Sequence, residues 1–255
     1  MRLPGHSPAL PTPEPTSPGW LKVDFHLHTR EDPKDHLDHS ALELLHRAHA
    51  LGFHALAITL HGHVLESPEV FATARELGLL LIPAAEMRLE GADVVVLNIT
   101  PQEAQELRCL NDLRELRQRR GDSVFMIAAH PYYVLGGSMG GCVLEQYIDL
   151  FDAIEISHFH TAWLNPNQPA IRTAARFEKP LIATSDAHRL AGFGQNYSLV
   201  QAASDATPEA IFDAIRSGCV LPVSPPLSTG KFAHHFWWVF VVHGLRKLRG
   251  RFWKR

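Results

Sequence analysis

Residues 21–30 read LKVDFHLHTR. The first seven form a short run of strand character whose downstream end carries His26 and His28. Side chains two apart on a strand project to the same side, so these imidazoles are spaced to grip one ion while Leu27 turns into the opposite layer. A lone His-x-His is more often surface or capping chemistry than a metal site. What gives it weight is recurrence. His61 in AITLHG, Glu86 in PAAEM, His130 in AAHP, His158 in IEISH, and Asp186 with His188 in TSDAH each follow a short apolar run. Strands that end on one rim of a barrel bring such side chains from distant parts of a chain into a single pocket. The sequence therefore points to a polynuclear metal site.

Working outward from that strand, β-branched or aliphatic runs alternate with helical patterns from Trp20 to about Ser217. Strands are expected at 21–27, 55–59, 79–84, 94–98, 124–128, 153–156, 181–184 and 198–202. Helices are expected at 40–51 behind a Ser40 cap and ended by Gly52, then at 68–77, 101–120, 169–177 and 208–217. Strands of four to six apolar residues separated by helices indicate a mostly parallel sheet buried on both faces. Alternation sustained over some 200 residues favours an α/β barrel over an open sheet. Pro131 is expected to hold His130 in an extended backbone at a strand exit.

The chain has 255 residues and is 45% apolar, enough for a sizeable core in one domain. Three regions are expected: a disordered proline-rich tail at 1–19, a catalytic domain at 20–230, and a basic aromatic tail at 231–255. Six prolines in the first 18 residues and almost no large apolar side chain leave the first tail too little to bury. The C-terminal tail has seven Lys or Arg and no acid, against 17 basic and 27 acidic residues in the remainder. Its FWWVFVV stretch, 236–242, is far too short to span a bilayer. Aromatics beside basic residues suit an interfacial helix on an anionic membrane, a terminal helix packed on the barrel, or nucleic acid, the last opposed by the acidic body. Cys109, Cys142 and Cys219 are odd in number and far apart, which favours a reducing cytoplasm. The tail would allow peripheral contact at the inner face of the membrane.

The motifs DFHLHT (24–29), GFHALAITLHG (52–62), IPAAEM (82–87), AHP (129–131), FDAIEISH (151–158) and TSDAH (184–188) together resemble the PHP superfamily, named for its polymerase and histidinol phosphatase domains. The resemblance covers about Lys22 to Ser217. It implies a distorted TIM-like barrel of about seven β/α units, three metal ions and cleavage of phosphoester bonds. It also assigns His26, His28, Glu86 and Asp186 to a first ion, Glu86, His130 and His158 to a second, and His61 and His188 to a third. The third ion takes a further ligand from the loop after the first strand, here TREDPKDHLDHS, either Asp35 or His36. The chain departs from the family at Leu60, where an Asp usually precedes the motif histidine. Loss of that acid bears on the third site.

Imidazole and carboxylate ligands suit zinc, manganese or iron, two or three ions in all. Paired cations lower the pKa of a bridging water and neutralise phosphate oxygens. The implied function is a metal-dependent phosphoesterase, in which a metal-bridged hydroxide attacks a phosphorylated small molecule or nucleotide, with Glu86 bridging and His188 or His61 near the leaving oxygen. Leu60 keeps open a catalytically weak PHP-type domain that binds metal or a partner. Arg30, Arg88 and Arg189 follow motif residues and are either phosphate clamps or a solvated rim. The GGSMGG segment, 136–141, is either a lid, a phosphate nest or a flexible loop.

Overall fold

Helix starts in this chain are written in short polar side chains. Ser40 accepts from the Glu43 N–H while Glu43 reaches back to the Ser40 N–H, a reciprocal cap for α1 (Ala41–Ala50), and Thr100 with Glu103 does the same for α3 (Pro101–Glu106). Ser67 and Thr207 cap α2 (Pro68–Glu76) and α7 (Pro208–Arg216), both with proline in the first turn, where a missing N–H costs nothing. The remaining helices are α4 (Leu110–Arg120), α5 (Gly140–Gln146) and α6 (Gln168–Arg176). A single helix over 101–120 does not form. Leu107 is extended, and Asp112 accepts from the Arg108 and Cys109 N–H groups at 2.6 and 2.8 Å, starting a new helix.

The computed structural model describes residues 19–133, 138–230 and 232. The N-terminal tail apart from Gly19, the C-terminal tail apart from Phe232, and the first two glycines of GGSMGG lie outside the described residues. The last two glycines of that motif open α5.

The strands are β1 (Trp20–Leu27), β2 (Ala55–His61), β3 (Leu80–Leu81), β4 (Ala84–Leu89), β5 (Ala92–Leu97), β6 (Phe125–Ala128), β7 (Ala153–Ile156), β8 (Leu181–Ala183), β9 (Tyr197–Gln201) and β10 (Val220–Val223). Their order is β10-β9-β1-β2-β4-β5-β6-β7-β8, with β3 beside β2. The strand expected at 79–84 is thus two pieces. Proline at position 83 lacks a ladder N–H, and the longer piece beyond it carries Glu86 within the strand. The sheet is also less parallel than the alternation suggests. β4–β5, β5–β6, β1–β9 and β9–β10 are antiparallel, and between β4 and β5 the positive φ of Glu90 and Gly91 (51° and 89°) folds one strand back on the other as a tight hairpin.

The result is a nearly closed, distorted α/β barrel. The sheet ends at β8 and β10, and across this opening, the barrel's seam, the buried Ser198 hydroxyl of β9 stands in for a backbone ladder to β8: Oγ accepts from the Ala183 N–H and donates to the Ala183 carbonyl, both at 2.9 Å. One core, including Val23, Phe25, Ala57, Val95, Phe125, Ile127, Ile182 and Val200, is drawn from strands all round the sheet and fills the barrel. Phe212 of α7 stacks on Phe125 at 5.0 Å and covers the end where β6 begins. Two further cores join the outer strand faces to α1 and α2, and to α3 through α6.

Candidate metal centre

Strict alternation would put Phe25 and His26 on opposite faces of β1. The ladder with β2 shifts register between Asp24 and Leu27, and this irregularity lets Phe25 fill the barrel while His26 and His28 also face inward at the rim. On the next strands His61 and Glu86 are register partners in the parallel β2–β4 ladder. β6 and β8 end just before His130 and Asp186. Both adopt positive φ, 28° and 44°. This corrects the expected extended backbone at His130. Its N–H donates to Glu155 Oε2 at 2.8 Å and its carbonyl accepts from Tyr133, so tertiary bonding overrides the influence of Pro131.

Three groups of donors converge, each within 4.8 Å: His26, Glu86 and His130; His26, His28 and Asp186; His28, His61 and His188. Glu86 lies at the middle. Its Oε1 is 3.4 Å from His26 Nε2 and 3.6 Å from His130 Nε2, and its Oε2 is 3.5 Å from His28 Nε2 and 3.1 Å from His61 Nε2. Asp186 Oδ1 stands 3.6 and 3.3 Å from the Nε2 atoms of His26 and His28. Most of these separations are long for hydrogen bonds. Two donors about 2.1 Å from a shared tetrahedral ion stand roughly 3.4 Å apart. The buried Nε2 atoms of His26 and His28 have no hydrogen-bond partner among the described residues. The donor set therefore fits divalent cations.

Charge tells the same story. Burial opposes protonation of His130 and His188, but carboxylates outweigh it, Glu86 for the first and Asp186 with Asp35 for the second, and push both to about 9. His26 is likewise held well above the usual imidazole range, burial being overcome by Glu155, Asp186 and Glu86. Glu86 and Asp186, despite burial, are held well below the carboxylate range by these same rings. Protons thus occupy a basin whose acids call for positive charge.

Neither Asp35 nor His36 belongs to the three groups, but Asp35 is buried with Oδ2 3.3 Å from His188 Nε2, whereas His36 is exposed. His158 also stands outside them. Burial keeps its pKa low, and Asp186, Glu155, His188 and His130 all act on it, so it borders the basin. His160 is directed away, to the carbonyl and hydroxyl of Ser224 at 3.1 and 3.2 Å. Arg30 is engaged by Glu43, and Arg88 by Asp93. Two acids carried no assignment in the motifs. Glu155 holds His26 Nδ1 at 3.1 Å and accepts from Thr184 Oγ1. Its one signal is a charge inside the apolar run AIEI. Asp32 holds His61 Nδ1 at 2.8 Å, and nothing distinguishes it in sequence from its neighbours in the loop.

Solved structures share this architecture. A two-domain protein from Bacteroides vulgatus containing a predicted PHP-like metal-dependent phosphoesterase aligns with TM-score 0.63 at 18% identity, over 86% of this chain and 69% of that one. No curated protein matches. The PHP-associated family, PHP_C, matches residues 165–220, which include Asp186 and His188. The family match is confined to that segment, and the likeness to the PHP-like structure is one of fold. A similar fold is also seen in PsfC from Pseudomonas syringae, with TM-score 0.57 at 17% identity over 91% of this chain and 99% of that one. A lesion-specific endonuclease from Pyrococcus furiosus shares it with TM-score 0.57 at 14% identity, over 80% of this chain but 57% of the endonuclease. At such identities the likeness is one of fold.

Proposed function

We propose that this chain is a PHP-type metal-dependent phosphoesterase that hydrolyses a phosphorylated small molecule or nucleotide. The observation that carries the reading is the spacing of donors around Glu86, too long for most hydrogen bonds and suited to shared ions. His26, His28, Glu86, Asp186 and His130 would hold two cations, with His158 beside them. His61, His188 and Asp35 would hold a third. When bound, such ions neutralise phosphate oxygens and make water acidic enough to attack near neutral pH.

The chain's own residues set the direction of approach. The side chains of His61 and His188 are 22% and 24% exposed, whereas those of His26 and His28 are fully buried. The Asp186 side chain is 23% exposed, so phosphate would enter from the side that His61, His188 and Asp186 border. Glu86 and Arg88 share one face of β4, and Asp93 holds the half-exposed Arg88 guanidinium over that edge, placed to meet a phosphate oxygen.

A panel of phosphomonoesters and phosphodiesters tested on zinc- or manganese-reconstituted protein, with elemental analysis, decides the matter. Turnover abolished by chelation and restored by metal is expected. Ion uptake without turnover would replace the enzyme by a metal-binding or partner-binding domain.

A second reading concerns where the protein works. On the loop after β7, Trp163 is 68% exposed and Leu164 is also exposed, and Phe232, at the start of the basic aromatic tail, stacks on Phe159 of the same loop at 4.4 Å. Apolar rim and cationic tail together fit an anionic membrane surface. Among the described residues no helix is long and apolar enough to cross a membrane. Co-sedimentation with anionic vesicles should weaken in a W163A/L164A variant, and equal binding would remove this reading.

A further inference from the structure

The histidine at the end of β2 is held by a carboxylate from elsewhere. Leu60, its neighbour, faces the apolar layer under α1 and α2 and supplies no acid. The acid comes from the loop after β1. Asp32 is buried, and its two oxygens do different things. Oδ2 accepts from the His61 backbone N–H and is hydrogen-bonded to His61 Nδ1, each at 2.8 Å, and stands 3.6 Å from His28 Nδ1, a charge contact rather than a hydrogen bond. Oδ1 accepts from the N–H groups of Lys34 and Asp35 at 2.8 and 3.1 Å, closing the turn that presents Asp35 to His188.

We propose that Asp32 is a positioning residue that assembles one side of the metal centre, fixing the ring of His61 and the loop of Asp35 at once. This rests on the metal reading above. An acceptor at Nδ1 places the proton there and leaves the Nε2 lone pair of His61 aimed into the basin, where Glu86 Oε2 lies 3.1 Å away. The same carboxylate sets the loop so that Asp35 meets His188 from the opposite side. One buried side chain thus orients donors from β2 and the β1–α1 loop, which are separate in sequence. With Oδ1 taking two backbone N–H groups and Oδ2 a third, both oxygens of Asp32 act as acceptors, the role of an ionised carboxylate.

The test uses the full chain, stripped with chelator and titrated with zinc or manganese alone. In D32N one ion per chain should be lost or weakened by about 10- to 100-fold, with the other ions retained. Nitrogen-15 spectra of the imidazoles should show His61 leaving its Nδ1–H tautomer in D32N. D35N should weaken the same ion without that tautomer change, which separates positioning from ligation. If D32N does not fold, D32E serves, since it keeps the charge with one methylene more reach and should still weaken that ion. Wild-type uptake and an unchanged His61 tautomer in the folded variant would overturn the proposal alone. A wild-type protein that takes up no ion would instead remove the metal reading, and this inference with it.

Discussion

His61 and Glu86 face each other across the parallel β2–β4 ladder as register partners, with Nε2 of the one 3.1 Å from Oε2 of the other. The ladder alone brings them together. Because Glu86 Oε1 faces His26 and His130, one carboxylate links rings carried by β1, β2 and the end of β6. That makes Glu86 the side chain whose loss should cost most.

Glu86→Gln keeps size and removes charge and one acceptor. Outer partners of metal ligands typically contribute about 10- to 100-fold, and a direct bridging ligand should exceed that. Turnover of the substrate found in the panel and bound metal should fall together. Full activity at full metal content in this variant would end the bridging role.

Metal uptake should expel protons. In the ion-free protein His130 and His188 titrate near 9, so both are protonated at pH 7, while ligand rings must be neutral. Affinity should therefore rise with pH up to about 9. Calorimetry in two buffers of different ionisation enthalpy would show proton release as a buffer-dependent heat, and identical heats would contradict it.

The same shift has a stability consequence for the stripped protein. A histidine whose pKa is raised by folding stabilises the fold fully below its unfolded value, about 6.5, and that contribution is lost as pH rises through its folded value. Thermal melts of chelator-stripped protein should thus decline between about pH 6.5 and 9, the window set by His130 and His188. Bound metal should flatten the decline, and a stripped protein that gains stability over this range would refute it.

Ser198→Ala removes the hydroxyl that satisfies both backbone groups of Ala183 at the seam. Leaving buried groups unpaired costs about 1–3 kcal/mol each, so a loss of roughly 2–4 kcal/mol is expected after partial rearrangement. Denaturant unfolding measures it. A change under about 0.5 kcal/mol, the range of ordinary surface substitutions, would mean that the seam closes by other means.

Arg88→Ala should raise KM by about 10-fold with little change in kcat, the expected loss of one charge-assisted hydrogen bond to phosphate. Asp93 anchors the guanidinium in the free protein, so the arginine is already oriented before substrate arrives. An unchanged KM would place Arg88 outside the substrate path.

The strands that carry or lead to His26, His61, His158 and Asp186 could be found in the sequence because apolar runs followed by a polar side chain repeat one local pattern, and local patterns survive without a fold. The Ser40 cap was equally visible, since it acts on a residue three positions away. Other features depended on distant partners. The antiparallel hairpin of β4 and β5 replaced a parallel neighbour, His130 was turned to positive φ by Glu155, and β10 found its place only by pairing with β9.

Side-chain identity and spacing along each strand thus determined that this chain would carry a ring of imidazoles and acids on an α/β barrel. Which acids stand behind the rings was decided only by closure of the barrel. Asp32 and Asp35 are three residues apart in a loop with no periodicity, and their different places follow from packing against His61 and His188, strand ends that meet the loop only in three dimensions.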